Sequence, residues 1–203
     1  MIKSLIILGF GGHARSVGDI ALSSGFDDLT FVDEHAREGE AFAGFPVVTM
    51  LPENATGSGW FVFPGSGDNA RRQAQCESAS LPLATLVAPT ASLGTQCEIG
   101  QGSLVGHQAH LGPLTRIGRG VIINSGAVVD HECMIGDFSH ISVNATVAGR
   151  CRIGAQVMVG AGATVIDRIR ICSNVTVGAG ATVVRDIEVP GVYIGTPARL
   201  LRD

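Results

Sequence analysis

Between positions 130 and 140 the sequence gathers groups with which a protein can move a proton: Asp130, His131, Glu132 and His140. An imidazole beside a carboxylate can take up and release a proton near neutral pH, which is what a general base must do. Such a base suits any attack in which an amine or hydroxyl sheds a proton as it adds to an electrophile. A second concentration lies near the start of the chain. There Gly9, Gly11 and Ala14 fit the loose pattern G-x-G-x-x-G/A, and Asp33 follows Gly9 by 24 residues. Glycines at such a turn let a phosphate approach closely, and the N-terminus of the following helix attracts it. The plainer reading of those glycines is a tight strand-to-helix turn. His107 and His110 read as surface histidines sharing one turn.

These groups need elements to hold them, and the second half of the chain is built on a repeat. From Val87, stepping six residues at a time through Leu93, Ile99 and Val105 to Val189, eighteen consecutive positions are Val, Ile or Leu. The next residue is often Gly, and the residue two before each aliphatic is usually small, as at Ala127, Cys133, Ala145 and Cys151. A period of six means a short strand plus a turn. Three repeats close one triangular coil of 18 residues, with the aliphatic side chain inside and residues 18 apart stacked at about 4.8 Å. Eighteen repeats give about six coils. Cys97, Cys133 and Cys151 then fill small inward slots as packing residues. His131 falls outside the inward positions. Gly149, 18 residues later, belongs one coil above it, where it leaves room for a substrate and can offer an N–H to a developing oxyanion.

The first half alternates differently. Residues 3–8 read as a buried strand, followed by the glycine turn and a helix to about Ser24. A strand ends at Asp33, Val47–Thr49 and Trp60–Phe63 supply two more, and Asp68 is the N-cap of a second helix. The series predicts a small Rossmann-like α/β domain over 1–82 with a parallel sheet, then a left-handed parallel β-helix over 83–203. Only half of a full dinucleotide-binding sheet is present, which favours a nucleotide-sugar over NAD at Gly11, with Asp33 or Glu34 near base or ribose hydroxyls.

Composition sets further bounds. Aromatics are 5% of 203 residues while glycine numbers 28, as a narrow core of small side chains requires. A net charge of −4 offers no field for a nucleic acid backbone. No apolar run reaches the length of a membrane span and no signal-like segment opens the chain, so the expectation is a cytoplasmic protein with its five cysteines reduced.

Four motifs carry a resemblance over essentially the whole chain. They are Gly9-Phe-Gly-Gly-His-Ala-Arg15, Pro64-Gly-Ser-Gly-Asp-Asn69 followed by Arg71, the segment from Ile123 through His131 and Glu132 to His140, and Tyr193-Ile-Gly-Thr-Pro-Ala-Arg199. In these the chain resembles the bacterial sugar O/N-acyltransferases related to sialic acid O-acetyltransferase and to the UDP-4-amino-sugar N-acetyltransferases of the bacillosamine pathway. The resemblance implies a homotrimer with acetyl-CoA between neighbouring β-helices and no metal. It implies His131 as general base with Glu132 as its modulator, and His140 at the acetyl thioester with Asn124 close by. CoA contacts are implied from main-chain groups around Ala161 and Ala179. The nucleotide-sugar site is implied at Gly11, Gly12, His13, Asp33, Glu34 and Gly67. Two departures stand out: the family commonly has Gly-Asn-Asn where this chain has Gly67-Asp68-Asn69, and His-Pro where it has Ala88-Pro89.

The expected reaction is direct attack of a 4-amino group of a nucleotide-linked, UDP-type sugar on acetyl-CoA, without an acyl-enzyme. Sugar O-acetylation is the alternative, since a hydroxyl acceptor would use the same base. A non-catalytic nucleotide-binding β-helix predicts no acetyl-CoA binding and tolerance of His131→Ala. A zinc carbonic anhydrase on this fold requires histidine spacings that 107, 110, 131 and 140 do not offer.

Overall fold

The computed structural model describes residues 3–53, 55–56 and 59–202; the extreme positions of the two expected segments, 1–2 and 203, lie outside these. The N-terminal lobe begins with β1 (Ser4–Leu8), whose Leu5, Ile6 and Ile7 are fully buried, as a strand covered on both faces requires. Helix α1 (Gly12–Ser23) crosses to β2 (Asp28–Val32). A short pair, β3 (Ala41–Phe42) and β4 (Phe45–Val48), leads to β5 (Trp60–Pro64) and helix α2 (Asn69–Glu77). The sheet order is β3-β4-β2-β1-β5, parallel except for the β3–β4 pair. That antiparallel pair is absent from the sequence expectation. It turns through Ala43 and Gly44, both at positive φ (51° and 85°), over strands too short to show alternation.

The rest of the chain is the left-handed parallel β-helix. Strands such as Leu104–Val105, Ile122–Ile123 and His140–Ile141 stack on a first face at a register of 18 residues. His110–Leu111 and Val128–Val129 stack on a second, and Arg116–Ile117 and Met134–Ile135 on a third. The inward aliphatics Val105, Leu111, Ile123, Val129, Ile141 and Val147 are all at 0% exposure. The small slots behave as the repeat demands. Ser139, Cys133 and Cys151 are fully buried, and each donates from Oγ or Sγ to the carbonyl 15 residues on, at Gly154, Ala148 and Ile166. A small side chain with one donor therefore fits the bend, which accounts for Cys97, Cys133 and Cys151. The hydrogen bond with Cys151 and burial hold the Cys133 thiol well above the ordinary thiol range.

Every sixth residue from Gln96 to Gly180 sits in the left-handed region, including Glu132 at φ 59° and Arg150 at φ 62°. These are the tips of the turns, so residues 18 apart along one edge of the prism project side by side.

The coils are less uniform than an even division into six. The three faces carry eight, six and five strands. In the last coil Val177 pairs with Tyr193 and Ile171 bridges Ile187, a register of 16 rather than 18. Ile187 thereby takes the inward place at 5% exposure, while Val189, the expected eighteenth core residue, is 58% exposed. The shortened segment is tied by Asp186, which accepts from the N–H and Nε of Arg170 at 2.8 and 3.1 Å.

The lobe packs on the first face. Outward-pointing Leu86, Leu104 and Ile122 share a core with Ala14, Val17 and Ile20 of the lobe. The junction continues around the adjoining edge through Arg72, which is fully buried. Its guanidinium donates to the carbonyls of Gly120 (2.6 Å), Phe138 (2.7 Å) and Gly67 (3.2 Å) and to Asn69 Oδ1 (2.7 Å).

Candidate active site

His131 lies in the turn between the second and third faces, on the edge of the prism opposite the face that the lobe covers. Its imidazole is 38% exposed, and Nδ1 stands 3.1 Å from Glu132 Oε1. A carboxylate there accepts the Nδ1 proton, which leaves the Nε2 lone pair to act as a base. The turn is pinned: His131 N–H donates to Asp130 Oδ1 at 2.7 Å, and the His131 carbonyl accepts from Arg150 N at 2.9 Å. Gly149 does sit one coil above, and a Cβ there would fall 2.5 Å from His131 Nε2. Only glycine leaves the ring its place. Arg150, which sequence reasoning missed, clamps Glu132 through Nε to Oε2 (3.3 Å) and a terminal nitrogen to Oε1 (3.2 Å). Arg150 first, then His131, hold the Glu132 carboxyl below the usual carboxylate range. Arg152 adds a bond to the Glu132 carbonyl at 2.8 Å.

The glycine turn and α2 enclose a cleft of about 230 Å³ lined by Gly11, Gly12, His13, Asp33, Gly67 and Arg71 among others. Gly11 is the N-cap of α1 with no side-chain bond, so the first N–H groups of that helix lack the usual side-chain partner. Asp33 accepts from Phe10 N (2.8 Å) and His35 N (2.9 Å), which shapes the turn and, with the His35 bond foremost, lowers its pKa. Glu34 instead faces solvent beside His35, with 74% of its side chain exposed. Ser66 and Gln75 complete the cleft lining; their signal in sequence was only proximity to the glycine loop. Asp68 accepts from Arg71 N at 2.8 Å and so caps α2.

His140 and Asn124 lie together where the cleft meets the first face. Asn124 Nδ2 is 3.1 Å from His140 Nε2, and His140 Nδ1 is 3.3 Å from the Gly67 carbonyl. These partners suit a neutral ring carrying its proton on Nδ1. Burial, followed by the charge of Arg72, depresses the pKa of His140 to about 3 and that of neighbouring His13 to about 4. Ala161 and Ala179 are exposed turn residues on the edge between the first and second faces. His107 is held to Thr90 at 2.9 Å, and His110 lies on the second face; with His131 on one edge and His140 on the first face, these four imidazoles point to different sides of the prism.

A single chain therefore assembles the predicted residues into separate groups. His131, Glu132 and Gly149 share one edge, and the glycine cleft with His140 and Asn124 shares the opposite face. Six residues per side at roughly 3.3 Å each set these groups on the order of 15–20 Å apart.

The geometry defines a class: a β-helical protein with an imidazole–carboxylate pair on one open edge and a glycine-lined cleft under the lobe on the opposite face. Comparison with known proteins specifies it. Residues 4–79 match the model described as PglD N-terminal domain, and residues 150–185 match the bacterial transferase hexapeptide of six repeats. No curated protein matches the sequence. Among solved structures, the chain is similar to the acetyltransferase domain of PglB from Neisseria gonorrhoeae FA1090 in complex with acetyl coenzyme A. The identity is 33%, covering 99% of this chain and 100% of that one, with a TM-score of 0.91. It is also similar to a histidine-to-asparagine variant of perosamine N-acetyltransferase from Caulobacter crescentus, in complex with CoA and GDP-perosamine. There the identity is 31%, covering 100% of this chain and 99% of that one, with a TM-score of 0.92. WeeI from Acinetobacter baumannii AYE shares the fold at 21% identity over 98% of this chain and 100% of that one, with a TM-score of 0.85. The chain belongs to the hexapeptide-repeat family of bacterial sugar acetyltransferases, and it is an acyltransferase. Among the described residues no helix is long and apolar enough to cross a membrane.

Proposed function

We propose that the chain transfers the acetyl group of acetyl-CoA to the 4-amino group of a nucleotide-linked amino-deoxy sugar, with a UDP sugar as the first acceptor to test. The observation that carries the reading is the His131 turn: an Nδ1 held by Glu132, a free Nε2, and a glycine opposite it. The sugar amine attacks the thioester carbonyl while Nε2 takes its proton. The C–N bond forms, the C–S bond breaks, and the proton passes to the departing thiolate of CoA. Gly149, one coil above the ring, offers its N–H to the oxyanion. His140 and Asn124 wall the thioester side, and the exposed backbone at Ala161 and Ala179 follows the CoA arm. The nucleotide lies on Gly11, Gly12, His13 and Gly67 beside Asp33, and Glu34 reaches the ribose edge. The GDP-perosamine and acetyl coenzyme A held by the similar structures support the two substrate classes.

The separation of base from cleft supports an oligomer in which one copy's His131 edge meets another copy's lobe, and a homotrimer closes that arrangement by symmetry. A cytoplasmic location agrees with cysteines used for packing rather than crosslinking.

Free-thiol release from acetyl-CoA, measured with UDP-, GDP- and dTDP-4-amino sugars and with sialic acid, tests the proposal. Turnover with an amino sugar and an acetyl mass gain on nitrogen support it. Turnover only with a hydroxyl acceptor replaces it by O-acetylation, and acetyl-CoA binding without any turnover removes it.

A further inference from the structure

The base is not held by Glu132 alone. Glu132 and Arg150 are left-handed turn tips 18 residues apart, and the guanidinium meets both carboxylate oxygens. Resting on the reading of His131 as the base, we infer that Arg150 is a positioning residue that sets the working pH range of the enzyme. It acts in two ways. The fork fixes the carboxylate so that Oε1 stays on Nδ1, which aims Nε2 at the acceptor. Its positive charge also offsets the negative charge of Glu132 in the field of the ring. A bare Glu132 would stabilise the protonated imidazole, which cannot accept a proton; the Glu132–Arg150 pair does so less.

The surrounding charges leave this role to Arg150. On its own turn the ring has Asp130, whose Oδ1 is engaged by the His131 N–H. The coil below presents Gly112, Pro113 and Leu114, all uncharged, with Arg116 paired to Glu98 on the third face. From the coil above come Arg150 and Arg152, the latter bonded to the Glu132 carbonyl. One coil higher, Asp167 and Arg168 pair with each other at 3.8 Å.

The test compares Arg150→Gln, which removes the charge, and Arg150→Lys, which keeps it without the fork. Two readouts are taken: the acid limb of the kcat/KM–pH profile, and an NMR titration of the labelled His131 ring, assigned by its disappearance in His131→Ala. In Arg150→Gln both midpoints move to higher pH by roughly half a unit or more. In Arg150→Lys the midpoints stay near wild type while kcat falls about 3- to 10-fold from loss of aim. Midpoints in Arg150→Gln that superimpose on wild type overturn the inference. A ring titration that shifts while His131→Ala retains full turnover upholds the clamp but discards the base assignment, so the two failures are told apart.

Discussion

His131 and His140 are nine residues apart, one and a half repeats, and that spacing turns one to an open edge and the other under the lobe. The first ring is 38% exposed and surrounded by charged groups that face solvent. The second is 6% exposed, bonded at both nitrogens to neutral partners, and driven to a pKa of about 3 by burial and Arg72. The same side chain therefore meets solvent and charged groups in one place and a buried, neutral setting in the other. On this fold, residue number modulo 18 decides which, because it selects the face and hence the neighbours.

The contrast predicts opposite consequences for loss of each ring. His131→Ala should lower kcat by about 10²- to 10⁴-fold while leaving the melting temperature near wild type, since the ring contributes to no core. If the cleft acts with another copy's edge, mixing His131→Ala with a cleft variant such as Gly67→Trp restores activity. Random reassortment into trimers gives each pairing about a one-in-four chance of two intact halves. Activity in the mixture that never exceeds the sum of the separate variants would break the two-region picture.

Arg72 is the strongest link between the regions. Arg72→Leu orphans the carbonyls of Gly67, Gly120 and Phe138 at a buried junction, at a cost of about 3 kcal/mol or more in urea unfolding. Because Gly67 is released with it, KM for the nucleotide sugar rises more than kcat falls. Arg72→Lys restores part of the stability. A kcat loss without a KM change would place the arginine's influence on the His131 edge instead.

The prism was legible because the main inward position of each repeat must be aliphatic, and eighteen aliphatics at one period allow no other architecture. The lapse at its end was not legible. Ile187 and Val189 both satisfy the chemistry of the core, and only the tie between Arg170 and Asp186 shows which is chosen. Among the candidate site residues, His131 and Gly149 were legible from local spacing plus the 18-residue stack, and the role expected of Glu132 came from the family resemblance. Arg150 follows from the same stack, yet it escaped notice because an arginine on a turn resembles any solvated charge. Arg72 could not be read at all: its acceptors are spread over residues 66–139 and meet only after the lobe docks. Asp33 and Glu34 are adjacent and alike, but one caps the glycine turn and the other faces water.

The buried rings also set a pH dependence. His140 and His13 have folded pKa values of about 3 and about 4, below the 6.5 of an unfolded histidine. The unfolded chain therefore binds more protons across that window. Stability is complete above pH 6.5 and declines as pH falls towards 4. The loss between pH 7 and pH 5 should be roughly 2–4 kcal/mol, read as a drop in urea midpoint. His140→Gln removes one titrating ring and flattens the decline. An unchanged slope would mean that the junction opens to water before either ring protonates.

The smallest effect concerns Asp68, where the family commonly has asparagine. Its carboxylate accepts from Arg71 N as the cap of α2, a bond that asparagine makes equally well. Asp68→Asn should therefore leave stability within about 0.5 kcal/mol, whereas Asp68→Ala loses the cap and about 1 kcal/mol. The comparison isolates charge from geometry next to the cleft. If Asp68→Asn alters the ranking of UDP, GDP and dTDP acceptors in the thiol-release assay, the extra negative charge acts on the nucleotide through space. If the ranking is unchanged, the carboxylate belongs to the helix alone, and base selectivity rests on the Gly11–His13 turn and Asp33.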